Sequence, residues 1–127
     1  MASTGIAPLP LHDVKVAAEV WIATALLHRE HSDRTEWSID EIVQRVEKEK
    51  LSPALRAGVR AQATLHCVAN RPPNPAKLRM LYATSRSQRR LYKPDDPASE
   101  GRTGRITPLE EEVPEGYRYL LRWYEQE

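Results

Sequence analysis

The spacing of apolar side chains divides the chain into four helical segments and one pair of strands. Between residues 13 and 28, apolar residues recur at three- and four-residue steps and fill most of the helical circumference, which predicts a central helix covered on several sides. Residues 39 to 50 carry a single apolar stripe. Ser38 and Glu41 form a capping box at its beginning, and Trp37 is placed to act as a hydrophobic staple. A second helix is therefore predicted there.

A third helical segment is predicted from Pro53 to Asn70, and because Gly58 weakens its first turns, a beginning nearer Ala57 is the alternative. At about 100° per residue, its small apolar residues fall on one side. These residues are Ala57, Gly58, Ala61, Leu65, Val68 and Ala69. The opposite side carries Arg56, Arg60 and Thr64. We expect the small side to pack closely on the second helix and the polar side to face a partner.

Two short strands follow a stiff connector. The prolines of residues 71 to 75 exclude a helix because they remove amide donors and fix the backbone. Residues 78 to 83 and 90 to 92 then have the composition of strands, and the polar residues 84 to 89 between them predict a hairpin loop.

The last part of the chain has two regions. Residues 95 to 113 lack periodicity and contain glycine and proline, which predicts a long loop. Residues 114 to 127 form a predicted helix with one apolar stripe, made of Tyr117, Leu120, Leu121 and Tyr124. That stripe is expected to pack on the core or on a second copy of the chain.

Composition bears on the cellular location of the protein. Cys67 is the only cysteine among 127 residues, so an internal disulfide is impossible and a reducing, cytoplasmic location is predicted. No apolar run reaches the ~20 residues of a membrane span. Residues 1 to 12 lack the basic start and apolar centre of a signal peptide, and they are predicted to be a flexible lead-in.

Charge is distributed unevenly although the net charge is only +1. Residues 51 to 105 contain 11 Lys and Arg against 3 Asp and Glu. Residues 1 to 50 contain 6 basic and 9 acidic residues, and residues 106 to 127 contain 2 and 6. Such asymmetry in the middle of the chain indicates a polyanionic partner.

Three helices followed by a hairpin with a basic tip resemble the winged-helix variant of the helix-turn-helix, between Val14 and Lys93. The segments Val20–Leu27 and His66–Pro75 also resemble a group of small prokaryotic winged-helix proteins whose function is uncharacterised. The resemblance implies a mostly α fold with a small β-hairpin, in which residues 13 to 94 form the winged-helix domain and the C-terminal helix is an addition. In that family the third helix enters the DNA major groove and the hairpin, or wing, lies along the backbone or a minor groove.

Double-stranded DNA is therefore the expected partner, and the protein is expected to be a transcriptional regulator or an accessory DNA-recognition factor. Arg, Gln and Thr of the third helix can contact base edges, and the basic side chains of the hairpin can contact phosphates. About six such contacts would reduce affinity on the order of a thousandfold from low to moderately high salt. The predicted DNA-binding residues are Arg56, Arg60, Gln62, Thr64, Arg79, Arg86, Arg89, Arg90 and Lys93.

Two alternatives concern the partner and the assembly. The same helical surface can dock an acidic protein, which would make the chain an interaction module without direct DNA binding. The last helix can also join two chains, and a two-fold homodimer predicts a palindromic site with half-sites about one helical turn apart.

The sequence gives little support for catalysis or metal binding. His28, His31, His66 and Cys67 do not form a closed tetrahedral set, because His66 and Cys67 point about 100° apart on a helix. No local base is placed to activate Cys67. We predict no metal and no cofactor.

A third hypothesis is an enzyme that acts through Asp95, Asp96 and Glu100 near Lys93, which would be a nuclease-type metal site. These carboxylates lie in a proline-rich loop without a strand to hold them. We therefore predict a solvated acidic turn and no catalytic residue.

Overall fold

The computed structural model describes residues 14–73 and 75–126, and the lead-in predicted for residues 1 to 12 lies outside them. Its helices and strands are α1 (Val16–Glu30), β1 (Trp37–Ser38), α2 (Ile39–Glu49), α3 (an α-helical turn Gly58–Ala61 continued by a π-helical turn Gln62–His66), β2 (Leu81–Ala83), β3 (Gln88–Leu91) and α4 (Tyr119–Gln126). Two 3-10 turns, Glu110–Glu112 and Glu115–Tyr117, precede α4. The prediction of a mostly helical fold with a small β-hairpin is confirmed.

Helix α1 is the centre of the core. All of its residues from Ala18 to Leu27 are buried, and the helix contacts α2, α3, β3 and α4. Burial extends around the whole circumference, as expected for an apolar helix surrounded by other elements. The predicted central helix is therefore confirmed, although it begins at Val16.

Helix α2 begins at the predicted capping box. The Ser38 hydroxyl accepts from the Glu41 amide at 3.0 Å, and the Glu41 carboxylate accepts from the Ser38 amide at 2.8 Å. Arg34 also donates to that carboxylate with both terminal nitrogens, and this pair is the main reason that the pKa of Glu41 is lowered to about 2. Trp37 and Ile42 are both buried in the core.

Helix α3 is shorter than predicted and buries a different face. It begins at Gly58, five residues after Pro53 and next to the alternative start at Ala57. Its second half has i→i+5 hydrogen bonding, with the Cys67 amide bonded to the Gln62 carbonyl at 3.2 Å. The delayed start and the π-helical turn shift which positions face inward. Val59, Ala63 and Cys67 are fully buried, whereas Gly58 is exposed. The predicted inward face was therefore wrong at its beginning.

The sheet has three antiparallel strands in the order β1-β3-β2. Trp37 pairs with Arg89, so the short β1, which the sequence did not predict, joins the hairpin to the beginning of α2. The Ile39 amide extends this link by donating to the Ser87 carbonyl at the hairpin tip, at 3.0 Å. The hairpin loop covers residues 84 to 87 because Gln88 and Arg89 belong to β3.

The outer edge of β2 is covered by a side chain. The Asn70 amide group accepts from the Ala83 amide at 2.8 Å and donates to the Ala83 carbonyl at 2.9 Å. The Asn70 side chain therefore takes the place of a neighbouring strand at this residue.

The long loop packs against the connector between α3 and β2. The Gly104 amide donates to the Lys77 carbonyl at 2.8 Å, and the Arg79 amide donates to the Arg105 carbonyl at 2.9 Å. Gly104 lies so close to this connector that a Cβ atom would be 2.6 Å from the Lys77 carbonyl oxygen. A glycine is therefore needed at this contact.

Helix α4 begins at Tyr119 rather than at residue 114, because Glu115–Tyr117 forms a 3-10 turn that contains Gly116. Its apolar stripe packs on the core of the same chain: Leu120 is 0% exposed, and the Tyr124 ring meets the Trp21 ring edge-on at 6.0 Å. A homodimer would have to use another surface of α4. Among the described residues, no helix has the length and apolar surface needed to cross a bilayer.

Candidate nucleic-acid interface

Arg89 joins the hairpin to the end of α3. This side chain was expected to face a phosphate, but it is only 1% exposed and its guanidinium group is directed into the protein. It donates to the Ala63 carbonyl at 3.0 Å and the Thr64 carbonyl at 3.3 Å, both in α3. It also donates to carbonyls of the hairpin, including those of Ser85 at 2.9 Å and Arg86 at 3.3 Å. Arg89 therefore positions the hairpin and cannot contact DNA without leaving the core.

Burial disfavours the charged form of this guanidinium group. Desolvation, together with the positive charge of Arg71, lowers the pKa of Arg89 to about 10. The group stays protonated at neutral pH, and its charge lies at the carbonyl end of a helix, where cations are stabilised. Arg71 follows the end of α3, where its amide donates to the Val68 carbonyl at 3.2 Å.

Arg102 holds the same helix end from the other side, and the sequence analysis did not single it out. It is 3% exposed and donates to the Leu65 and His66 carbonyls, each at 2.7 Å. Its other acceptors are carbonyls of the connector that follows α3, at Arg71, Pro72 and Leu78. One buried side chain thus fixes the long loop to the end of α3.

The exposed residues next to Arg89 form one surface of the molecule. The Thr64 and Arg86 carbonyls bond to the same guanidinium group, so these two exposed residues are neighbours across the gap between α3 and the hairpin. We use the name helix–hairpin surface for the exposed side chains of Arg60, Thr64, Ser85, Arg86 and Ser87.

Arg60 joins this surface through an ion pair. Its guanidinium group donates to the Asp40 carboxylate at 2.7 Å, and the two side chains are 56% and 70% exposed. Asp40 follows Ile39, which is bonded to Ser87 at the hairpin tip. Because an exposed ion pair of this kind contributes ~0–1 kcal/mol, Arg60 can exchange Asp40 for a phosphate at little cost.

Arg56 is bound to internal groups and is poorly placed for DNA. Its guanidinium group donates to the Glu19 carboxylate, the Val14 carbonyl and the Ser52 hydroxyl. The Glu19 side chain is only 3% exposed. Removing Arg56 from this contact would leave a buried carboxylate without its counter-charge, which costs about 3–5 kcal/mol.

Two further predicted residues have internal partners, and a third has a buried side-chain oxygen. Arg90 forms a two-point ion pair with the Asp96 carboxylate at 2.7 and 2.9 Å and lies over the Tyr82 ring. Arg79 donates to the Gly104 carbonyl at 2.8 Å. The side-chain oxygen of Gln62 is buried, so it is not presented to a base edge. The charges of Arg90 and Arg79 are therefore bound by groups within the fold.

Lys93 is exposed but lies beyond the far end of β3, away from the hairpin tip. It therefore does not belong to the helix–hairpin surface. Of the nine predicted residues, the structure brings together Arg60, Thr64 and Arg86 on that surface.

The carboxylates of the proposed nuclease-type site are not gathered into a site. Asp96 bonds to Arg90 and to the Lys93 amide, and the Arg90 hydrogen bond is the main reason that the pKa of Asp96 is lowered. Asp95 and Glu100 are exposed. In the described part of the chain, no three His, Cys, Asp or Glu side chains lie close enough together to hold a metal ion.

Comparison with protein-family models, with curated proteins and with solved structures gives no match. Function is therefore inferred from the residues of the helix–hairpin surface and from the fold that positions them.

Proposed function

We propose that the chain is a winged-helix protein that binds double-stranded DNA through the helix–hairpin surface, with α3 in the major groove and the hairpin tip on the backbone. The observation that carries this proposal is the shared guanidinium group of Arg89, which holds exposed Thr64 beside exposed Arg86. A duplex needs contacts from both elements at a fixed spacing. The protein would act as a transcriptional regulator or as an accessory DNA-recognition factor.

The order of elements supports the fold part of the proposal. Three helices precede the hairpin, and β3 lies between β1 and β2 in the sheet. The pairing of Trp37 with Arg89 and the bond from Ile39 to Ser87 hold the hairpin tip beside the beginning of α2. A tip fixed in this way loses little conformational entropy when it binds, which favours affinity.

The number of available cations sets the expected salt dependence. Arg60 and Arg86 lie on the helix–hairpin surface and Arg71 follows the end of α3, whereas Arg89 and Arg56 hold the fold together. Three phosphate contacts give a slope of about −2.7 in log affinity against log salt, or a loss of about fortyfold between 50 and 200 mM. This is well below the thousandfold loss that six contacts would give.

Fluorescence anisotropy with a labelled duplex of mixed sequence tests the proposal at both salt concentrations. Arg86→Ala and Arg60→Ala should each weaken binding at low salt and reduce the salt slope by about 0.9. Arg122→Ala is the matched control because Arg122 is an exposed arginine on α4, which packs against α1.

Two outcomes would contradict the proposal. If the wild-type protein shows no salt-sensitive binding, the surface is better explained as a docking site for an acidic protein. If Arg122→Ala weakens binding as much as Arg86→Ala, the attraction is general and does not depend on the helix–hairpin surface.

A further inference from the structure

A cleft of about 420 Å³ lies at the opposite end of the hairpin from its tip. Its walls come from the end of α1 and the following turn, from the end of β3, and from α4. The volume falls within the ~300–1,000 Å³ of sites that hold small molecules. The residues that bear on its chemistry are His28, Ser32, Lys93, Trp123 and Tyr124.

His28 supplies a hydrogen-bond donor with a fixed position. Its Nε2 atom accepts from the Leu91 amide at 3.1 Å, so the proton of the neutral ring is on Nδ1. Burial, together with the charges of Lys93 and Arg90, lowers the pKa of His28 to about 4, so the ring is neutral at pH 7. Among the described residues, none accepts a hydrogen bond from Nδ1.

Lys93 supplies the positive charge. Its side chain is exposed and forms no ion pair with a described residue. Arg34, Asp95 and Glu125 also line the cleft and are exposed like Lys93, so the lining carries charges of both signs. Arg34 pairs with Glu41, so Lys93 is the cation of the lining that has no ion-pair partner among the described residues.

The aromatic residues form the apolar part of the cleft. The Tyr124 hydroxyl donates to the Tyr92 carbonyl, and its ring packs edge-on against Trp21, so this side chain is held from both ends. Trp123 is half-buried against the core and lines the cleft. A flat ring placed against these side chains gains apolar burial and ring stacking.

We propose that this cleft binds a small carboxylate that carries a flat aromatic ring. The carboxylate accepts from His28 Nδ1 and lies beside the Lys93 ammonium group, and the ring lies against Trp123. Ser32 also lines the cleft. This site is independent of DNA binding, because none of these residues belongs to the helix–hairpin surface.

Isothermal titration calorimetry with indole-3-acetate tests the site, with indole-3-acetamide as the uncharged probe of the same shape. The carboxylate should bind and the amide should bind at least about tenfold more weakly, because the amide forms no charged contact with Lys93. Binding should also shift the His28 Nδ1 resonance in the NMR spectrum.

Lys93→Gln and Lys77→Gln are a matched pair, because both lysines are exposed and only Lys93 lines the cleft. Lys93→Gln should weaken indole-3-acetate binding at least about fivefold, and Lys77→Gln should leave it unchanged. Circular dichroism checks that both variants are folded.

Three results would each overturn this inference. They are no binding of indole-3-acetate up to about 10 mM, equal binding of the acetate and the amide, and equal weakening by the two lysine variants. A shift of resonances outside the cleft without a shift at His28 would place the ligand elsewhere and would also overturn it.

Discussion

Arg89 and Arg102 bond to four consecutive carbonyl groups, those of residues 63 to 66, at the end of α3. The last carbonyls of a helix have no partner within it, and a cation at that end is stabilised by the helix dipole. The two side chains come from the hairpin and from the long loop. Both elements are therefore fixed to the helix that is proposed to contact DNA.

Replacing Arg102 should destabilise the protein strongly. Arg102→Met would leave five carbonyl groups without this donor, and we expect the free energy of unfolding to fall by about 3 kcal/mol or more. Urea denaturation measures the change. Arg105→Met is the control, since Arg105 is exposed and pairs with Glu112, and it should cost below about 1 kcal/mol. Equal losses would show that the buried bonds carry little stability.

Two ion pairs of the same kind should differ in strength because of burial. Arg56→Met leaves Glu19 buried without its partner and should cost about 3–5 kcal/mol, whereas Arg60→Met should cost below about 1 kcal/mol. Adding Glu19→Gln to Arg56→Met should restore part of the stability, because it removes the uncompensated charge. Chemical denaturation of the four proteins forms the test, and a double variant no more stable than Arg56→Met would contradict it.

Stability should fall between pH 7 and pH 5 because of His28. Its pKa is about 4 in the folded protein against an ordinary value of 6.5, so the unfolded chain binds the proton first as the pH falls. The contribution of His28 is complete above pH 6.5 and decreases as the pH approaches 4. The free energy of unfolding should therefore be about 2 kcal/mol lower at pH 5 than at pH 7.

His28→Gln should flatten this part of the stability profile, since glutamine does not titrate. His31→Gln is the matched control because His31 is exposed. Denaturation curves at several pH values measure both variants. An unchanged pH slope in His28→Gln would contradict the low pKa of His28.

Gly104 tests how closely the long loop packs. Gly104→Ala places a Cβ atom 2.6 Å from the Lys77 carbonyl oxygen, so the backbone must move, and we expect a loss of about 1–3 kcal/mol. Gly116→Ala meets no atom within 4 Å and should be close to neutral. Thermal unfolding compares the two, and amide exchange of residues 77 to 79 should increase only in Gly104→Ala.

Asp40 is expected to limit DNA binding. Asp40→Asn frees Arg60 and removes one negative charge beside the hairpin tip, so affinity for duplex DNA should rise several-fold at low salt. Asp33→Asn is the control, because Asp33 is exposed in the turn between α1 and β1. Anisotropy titrations compare the DNA affinity of the two variants with that of the wild type. Weaker or unchanged binding by Asp40→Asn would count against the helix–hairpin surface.

Local rules predicted much of the fold. The apolar circumference of α1 and the box formed by Ser38 and Glu41 are properties of a few neighbouring residues, and the structure confirms both. The end of α3 was not predictable in this way, because Arg89 and Arg102 reach it from residues far along the chain. No periodicity in the sequence reports such long-range bonds.

The candidate surface was predicted only in part, because long-range bonds also decide which arginines face outward. Exposure of Arg60, Thr64 and Arg86 follows from helix spacing and from the loop of a hairpin. The inward direction of Arg89 depends on unpaired carbonyls nearby, which composition cannot reveal. An arginine in a basic segment is thus a weak indicator of DNA contact until its neighbours are known.

The pairing of the Asn70 side chain with Ala83 has a consequence for the behaviour of the protein in concentrated solution. An open edge of a sheet is a template on which another chain can add a strand and begin aggregation. Here the amide and the carbonyl of Ala83, which could bond to an added strand, are already bonded to the side-chain amide of Asn70 in the same molecule. The backbone of Cys67 and Ala69 bonds to Leu81 on the same edge, so Asn70 completes a rim of the hairpin that offers no open site to a second chain.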